Sequence, residues 1–130
     1  MNKRMRGERG ASAVEFAFIV PLLIVLVLGI AEFGRGFQVQ GTISAAAREG
    51  VRAMALQNDP AAARAAVRNA TSTFDPAVTN AQIVITPSAC PAVGGGTTVR
   101  LTIDYDMPFL TGLFGAGVDL TGTGVMRCNG

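Results

Sequence analysis

A long apolar run near the amino terminus constrains this chain more than any other feature. Residues 11–31 contain one charged side chain, Glu15, and their length suits a membrane span, since about 20 apolar residues cross the hydrocarbon core of a bilayer. The run therefore predicts a transmembrane helix. Pro21 lies inside it, and a membrane helix tolerates such a proline as a kink or a loosened turn.

Glu15 is energetically unexpected in this run. A carboxylate placed in hydrocarbon costs about 2.5–3.5 kcal/mol on insertion scales, so an acid at this position is a functional hypothesis that requires a partner. The alternative is that Glu15 lies near the membrane surface, where water reaches its carboxylate.

The charges on either side of the run predict its orientation. Four basic residues and one acid precede it, whereas Glu32 and Arg35 follow it in near balance. The positive-inside rule therefore places the amino terminus in the cytoplasm and residues 32–130 outside it. The basic residues of the leader are Lys3, Arg4, Arg6 and Arg9.

Composition argues against nucleic-acid binding and catalysis. The leader carries a net charge of +3 and residues 11–130 a net charge of −1, and the remaining arginines are scattered rather than clustered on one face. There is no histidine to act as a base, and Asp104 and Asp106 fall on the exposed side of a predicted strand. We expect no enzymatic activity and no cofactor.

Cys90 and Cys128 are the two cysteines, and both follow the membrane run. Outside the cytoplasm oxidation is permitted, which favours one disulfide over the alternative of two unpaired thiols. Two thiolates without histidine fall short of a tetrahedral metal site, so we expect no bound metal.

The helix is predicted to continue beyond the membrane. An apolar stripe at helical spacing follows the run, interrupted by glycines that indicate either close helix packing or flexibility. Asp59-Pro60 then predicts the start of a second helix, with its small face packed on the first. The stripe begins with Phe33 and Phe37 and is extended by Val39, Ile43, Ala47, Val51 and Met54. The small face of the second helix is Ala62, Ala65, Ala66 and Asn69, and Val67 and Ala70 are expected to add modest apolar contact.

The remainder of the chain has strand character. Residues 82–86, 98–106 and 118–127 predict three strands, separated by a flexible loop at 90–96 and an apolar, packed loop at 107–115. Together these elements predict an α+β fold: a long N-terminal transmembrane helix extending into a small exported domain, with a second helix and a short antiparallel β-sheet. The expected buried strand residues are Val99, Leu101, Ile103, Tyr105, Val118, Leu120 and Val125.

The most specific motif joins the leader to the apolar run. Gly10 is followed by Ala11, with Glu15 and Phe16 as the fifth and sixth residues after the glycine. This pattern resembles the processing site of prepilins. The resemblance implies that a membrane aspartyl protease removes residues 1–10 and leaves Ala11 as the new amino terminus.

Further stretches widen the resemblance to the TadE-like family of tight-adherence (Flp) pilus assembly. They are Glu8 to Ala17, Pro21-Leu22-Leu23, Glu32-Phe33-Gly34-Arg35 and Ala46 to Ala53. The resemblance implies a pilin-like minor subunit in the inner membrane. Its partners would be the prepilin peptidase, other pilin and minor pilin subunits, the inner-membrane assembly platform and membrane lipid.

The resemblance also implies a partner for Glu15. Cleavage would create an ammonium group on Ala11, and in pilin assembly the buried carboxylate pairs with the ammonium of a neighbouring subunit. A buried ion pair is a weak stabiliser, but it can specify register between subunits. Glu15 and Pro21 are therefore expected to be assembly residues.

The sequence also allows two other interpretations. The apolar run could be a secretory signal peptide cut after Ala31, although it is longer than the usual 7–15-residue apolar core and leaves Glu15 without a purpose. Alternatively, the chain could be an unprocessed, membrane-tethered or secreted binding domain with no pilus role.

Overall fold

The computed structural model describes residues 4–92 and 96–129. Lys3 of the leader and the centre of the loop predicted at 90–96 lie outside the described residues. Two α-helices and three β-strands confirm the predicted α+β class, with short 3₁₀ turns at Asn80–Gln82 and Gly112–Phe114. The bounds are α1, Arg4–Gln57; α2, Pro60–Ala70; β1, Ile83–Thr86; β2, Thr98–Pro108; and β3, Gly117–Arg127.

Helix α1 is 54 residues long and continues through Pro21. The chain nevertheless divides into two compact units, Met1–Arg35 and Gly36–Gly130. We call them the amino-terminal and the carboxy-terminal unit. Most of the predicted stripe of α1 is confirmed: Ile43, Ala47, Val51 and Met54 are buried and Val39 packs against them. Its first two residues were predicted wrongly, because Phe33 and Phe37 are 70% and 78% exposed.

Helix α2 begins as the sequence predicts, but it buries a different face. Asp59 caps it, accepting a hydrogen bond from the backbone N–H of Ala61 at 2.8 Å. It buries Ala63 and Val67, so the contact expected of Val67 is confirmed. The small face expected from its alanines is only half-buried, and Asn69 and Ala70 are exposed. An alanine-rich helix has little hydrophobic contrast between its faces, so its periodicity did not identify the packed side.

The sheet is antiparallel in the order β1-β2-β3. The alternation predicted for β2 is confirmed, because Val99, Leu101, Ile103 and Tyr105 are all buried. Tyr105 also donates a hydrogen bond from its hydroxyl to the carbonyl of Pro76 at 2.7 Å. The strand runs two residues further than predicted, to Pro108, so Met107 belongs to the sheet rather than to the following loop.

For β3 the expectation of buried valines was wrong. Val118 and Val125 are 39% and 51% exposed, while Leu120 is partly buried. The buried residues of β3 are Gly122 and Gly124. The core side of this strand therefore has no large side chain at its centre.

Those two glycines let the sheet approach the helix backbone to backbone. A Cβ on Gly124 would lie 2.5 Å from the carbonyl oxygen of Ala47, and one on Gly122 would lie 2.9 Å from that of Ile43. Real Cβ atoms do not approach backbone so closely. Gly50 of α1 is equally confined, since its Cβ would lie 2.6 Å from Val67 Cγ2 and 2.7 Å from Leu101 Cδ1.

The end of α1 is fastened to the loop before β2. Cys90 and Cys128 form a disulfide, with an S–S distance of 2.06 Å. Asn58, just beyond α1, takes a left-handed φ of 50°, a conformation that asparagine tolerates at helix ends. Its side chain accepts from the N–H of Cys90 at 2.6 Å and donates to the Cys90 carbonyl at 3.1 Å.

The exposed face of the sheet carries opposed acids. Asp106 of β2 lies directly across from Asp119 of β3, and Asp104 lies across from Thr121, whose hydroxyl donates to it at 2.9 Å. A hydrogen bond to Asp119, together with repulsion from the same carboxylate, raises the pKa of Asp106. The expected exposure of Asp104 and Asp106 is confirmed.

We predict that Gly124→Ala destabilises the carboxy-terminal unit by about 1–3 kcal/mol, because the added methyl overpacks the contact with Ala47. The matched control is Gly41→Ala, which adds the same methyl to α1 where nothing lies within 4 Å. That change should be neutral or stabilise by up to about 1 kcal/mol through helix propensity. Urea unfolding of the full chain in detergent, followed by fluorescence of the single tyrosine, Tyr105, measures both. Equal effects of the two variants would contradict the close contact.

We also predict that Asp119→Asn stabilises the chain at neutral pH, because it removes a like charge facing Asp106. Since the folded state raises the pKa of Asp106, wild-type folding gains from protonation as the pH falls from neutral through that raised pKa. The advantage of the variant should therefore shrink as the pH approaches 3.8, the ordinary value for aspartate. The difference in urea midpoint between the two proteins across this range is the measurement. A difference that does not vary with pH would refute the coupling.

Candidate functional site

The four residues of the predicted processing motif lie close together on α1, in the amino-terminal unit. Gly10, Ala11, Glu15 and Phe16 are all helical and exposed, and Phe16 keeps 67% of its surface accessible. All four residues of the motif therefore lie on an exposed part of the helix surface.

Ala11 and Glu15 are separated by one helical turn. A spacing of four residues corresponds to a rise of about 6 Å and places the two residues on the same face. Side chains of an α-helix lean towards its amino terminus, so the Glu15 carboxylate leans towards Ala11. A charge created on the Ala11 nitrogen would therefore lie at the same helix end and on the same face as this carboxylate.

The peptide bond between Gly10 and Ala11 is inside the helix rather than in an extended loop. Proteases bind their substrates as extended chain, so cleavage here requires local unwinding. Gly10 favours unwinding by about 1 kcal/mol relative to alanine. The hydroxyl of Ser12, which donates to the carbonyl of Glu8 at 3.1 Å, adds a polar competitor for that backbone group.

The helix beyond Glu15 is apolar on every side. Its most apolar stretch of 18 residues has a mean hydropathy of 2.7, and only 6% of that stretch is buried. By length and composition, this helix can cross a membrane. A helix with apolar residues all round belongs inside a membrane or a larger core. Its large exposed side chains are Val14, Phe16, Phe18, Ile19, Leu22, Leu23, Ile24, Val25, Leu26, Val27 and Ile30.

A shallow apolar hollow of about 250 Å³ follows Pro21 along one side of this helix. Its lining residues are spaced by three and four positions, as one helix face requires, and they present no polar surface. Such a hollow fits the ridge of a second apolar helix. The lining residues are Val20, Leu23, Ile24, Val27 and Leu28.

The carboxy-terminal unit offers little in the way of catalytic geometry. A hollow of about 420 Å³ beside the β2–β3 turn includes Asp106 and Asp119 in its lining. Within residues 4–92 and 96–129, no group of three or more metal-binding side chains comes together. The acids instead face each other across two strands at the surface.

The turn between β2 and β3 is a feature that the sequence interpretation placed wrongly. Its apolar residues predicted a packed loop, but Leu110 and Leu113 are 67% and 61% exposed, and Phe114 is 42% exposed. The absence of any charge between Asp106 and Asp119 was the signal that this turn suits apolar surroundings.

Comparison with known proteins gives one match. The family model described as TadE-like protein matches residues 10–52. No curated protein and no solved structure matched the chain. The matched segment begins at Gly10 and includes Glu15, Pro21 and most of the buried stripe of α1.

This family belongs to tight-adherence pilus systems and is structural rather than enzymatic, and the long apolar helix fits a single-pass membrane protein of such a system. The recognition made from Gly10, Glu15 and the neighbouring motifs is confirmed over the matched segment. Residues 10–52 of this chain are thus similar to the TadE-like family.

Proposed function

We propose that this protein is a minor pilin, or pseudopilin, required for assembly of a tight-adherence pilus. In this proposal prepilin peptidase removes residues 1–10, residues 11–31 anchor the mature protein in the inner membrane, and residues 32–130 form the exported domain. The observation that carries this proposal is Glu15, the single carboxylate of the exposed and mostly apolar segment 11–31 of α1, about one helical turn after Gly10-Ala11.

The apolar surface of α1 supports the membrane anchor. Large apolar side chains are accessible on every side of residues 14–30, an arrangement that water disfavours at about 25 cal/mol per Å². Lipid or neighbouring helices would cover this surface. The four basic residues before it support a cytoplasmic amino terminus.

The position of Glu15 supports maturation at Ala11. A carboxylate inside this apolar surface needs a positive partner in a medium of low dielectric constant. Cleavage after Gly10 would supply an ammonium one turn away along the helix axis, on the same chain or on a neighbour displaced by about one turn. Pairing with a neighbour would also fix the axial stagger between subunits, which is the assembly role we assign to Glu15.

The remaining partners follow from the same surfaces. Other pilin and minor pilin subunits would pack against the hollow after Pro21, where the apolar lining accepts a helix ridge. The assembly platform of the inner membrane would meet the cytoplasmic end of α1. The charge distribution gives no basis for a nucleic-acid partner.

A second candidate is an unprocessed, membrane-tethered binding domain. The helical state of the Gly10-Ala11 bond favours this alternative, because an intact helix resists proteolysis. Here Glu15 would lie at the cytoplasmic membrane surface, in contact with water.

We predict that Gly10→Val blocks maturation, since a β-branched side chain hinders close approach of a protease to the backbone. The matched control is Gly34→Val on the same helix, where an added Cβ meets nothing within 4 Å. Intact mass of the protein from piliated cells should show loss of residues 1–10 in the wild type and the control, and retention in Gly10→Val. Normal processing of Gly10→Val, or a wild-type chain beginning at Met1 or Glu32, would overturn the proposed maturation.

We predict that Glu15→Leu inserts and matures normally but assembles poorly. Removing one member of a buried ion pair costs about 3–5 kcal/mol, equivalent to a loss of roughly 100-fold or more in subunit association. Glu15→Gln should also fail, because it keeps the polarity but not the charge, while Glu49→Gln, an exposed acid on the same helix, should assemble normally. Sheared pili quantified by immunoblot are the measurement. Wild-type levels from Glu15→Leu would show that the ion pair is dispensable.

A further inference from the structure

The turn between β2 and β3 is an exposed apolar tip. Residues 109–116 connect the strands, closed at their base by the N–H of Phe109 donating to the carbonyl of Ala116 at 3.1 Å. A 3₁₀ turn, Gly112–Phe114, presents Leu113 and Phe114 outwards, and Leu110 precedes it. We call residues 109–116 the hairpin tip.

The hairpin tip is uncharged as well as apolar. From Met107 to Val118 the sequence contains no charged residue, and Asp106 and Asp119 stand at its base. Proteins in water rarely expose several large apolar side chains in one short loop without a partner for them. The composition of the hairpin tip therefore indicates that its surroundings are apolar.

Register within the carboxy-terminal unit shows at which end the tip lies. Along the sheet, Gly124 contacts Ala47 and Gly122 contacts Ile43, and a Cβ on Gly36 would lie 3.7 Å from Met107 Cε. The end of β2 that leads into the hairpin tip therefore lies beside the Gly36 end of α1. The hairpin tip lies at the end of this unit where the chain enters it.

That end is also the end nearest the membrane in sequence. Gly36 follows Ala31, the last residue of the proposed span, by five residues of chain. Five residues reach at most about 18 Å even when fully extended, so this end of the unit stays close to the bilayer surface. Phe37, one residue after Gly36, is 78% exposed and adds an apolar ring at the same end of the unit.

From these observations we propose that the hairpin tip inserts into the outer surface of the same bilayer that α1 crosses, giving the protein a second membrane contact. This inference rests on the proposed membrane anchor. The ligand is the lipid surface itself, with Leu110, Leu113 and Phe114 entering the boundary between headgroups and acyl chains. Interfacial apolar segments reach about 5–10 Å into that boundary.

The acids at the base define the lipid chemistry. Asp106 and Asp119 would stand just above the headgroups, so anionic lipid is not required and would be mildly repelled. Attachment should therefore occur on zwitterionic phosphatidylcholine. Two membrane contacts would also limit tilting of the carboxy-terminal unit relative to the bilayer.

The sequence contains no tryptophan, so single tryptophans can report depth. Leu113→Trp probes the tip, and Leu56→Trp is the matched control, since these leucines are 61% and 63% exposed and Leu56 lies near the opposite end of the helix segment in this unit. Ile24→Trp probes the span. Each full-length variant is reconstituted in phosphatidylcholine vesicles carrying bromine near the headgroups or near the chain ends.

We expect Leu113→Trp to emit at shorter wavelength than Leu56→Trp and to lose emission mainly with bromine near the headgroups. Ile24→Trp should lose emission with bromine near the chain ends, whereas Leu56→Trp should be unaffected by either lipid. If Ile24→Trp is quenched but Leu113→Trp behaves like Leu56→Trp, the hairpin inference falls and the membrane anchor stands. If Ile24→Trp is not quenched, the anchor and the inference both fail.

A neighbouring subunit could cover the tip instead of lipid. In that case Leu113→Trp would be shielded from aqueous acrylamide only at high protein-to-lipid ratio and would not respond to bromine. That outcome would also overturn the lipid contact. Insertion into lipid predicts bromine quenching that does not change when the vesicles are diluted with further lipid.

Discussion

The contact between α1 and β3 at Ala47 and Gly124 is the interaction on which the carboxy-terminal unit depends. Helix backbone meets strand backbone there, because neither residue has a side chain large enough to separate them. The close approach brings the buried face of β2 over the helix, with Leu101 and Ile103 fully enclosed. Gly50 leaves room for Val67 of α2, so α2 packs against the other side of the same core. Small residues at these contacts thus let large buried side chains such as Ile43, Leu101 and Ile103 pack densely.

The two parts of α1 suit different surroundings. Beyond Gly36, α1 has one buried stripe and exposed charged residues such as Arg48 and Glu49, as expected for a helix packed on a sheet. Between residues 11 and 31, Glu15 is the single charged residue and the exposed side chains are mostly apolar, as expected for a helix surrounded by lipid or by other helices. The match to the TadE-like family covers both parts, from Gly10 to Arg52. The matched segment therefore includes residues from both parts of one continuous helix.

Features with a strong and local pattern could be predicted from the sequence. The α1 stripe, the Asp59 cap and the alternation in β2 each follow from a period or a pair of adjacent residues, and the motif from Gly10 to Phe16 is contiguous. The core side of β3 could not be predicted in this way, because its buried positions are glycines and carry no hydrophobic signal. The buried face of α2 could not be predicted either, because it is set by packing against Gly50, which lies in another element. The exposure of Leu113 depended on which end of the sheet the turn occupies, a property of three-dimensional register alone.

The central claim is that the carboxylate of Glu15 pairs with an ammonium on Ala11 of a neighbouring subunit. A membrane-permeant carbodiimide can join these two groups as an amide, with loss of water to the reagent, wherever they are in contact. Applied to purified pili or to membranes assembling them, it should give a covalent dimer whose cross-linked peptide connects the Ala11 nitrogen of one chain to Glu15 of another. A cross-link confined to single chains, or an amino terminus at Met1 or Glu32 with no such amide, would contradict the claim.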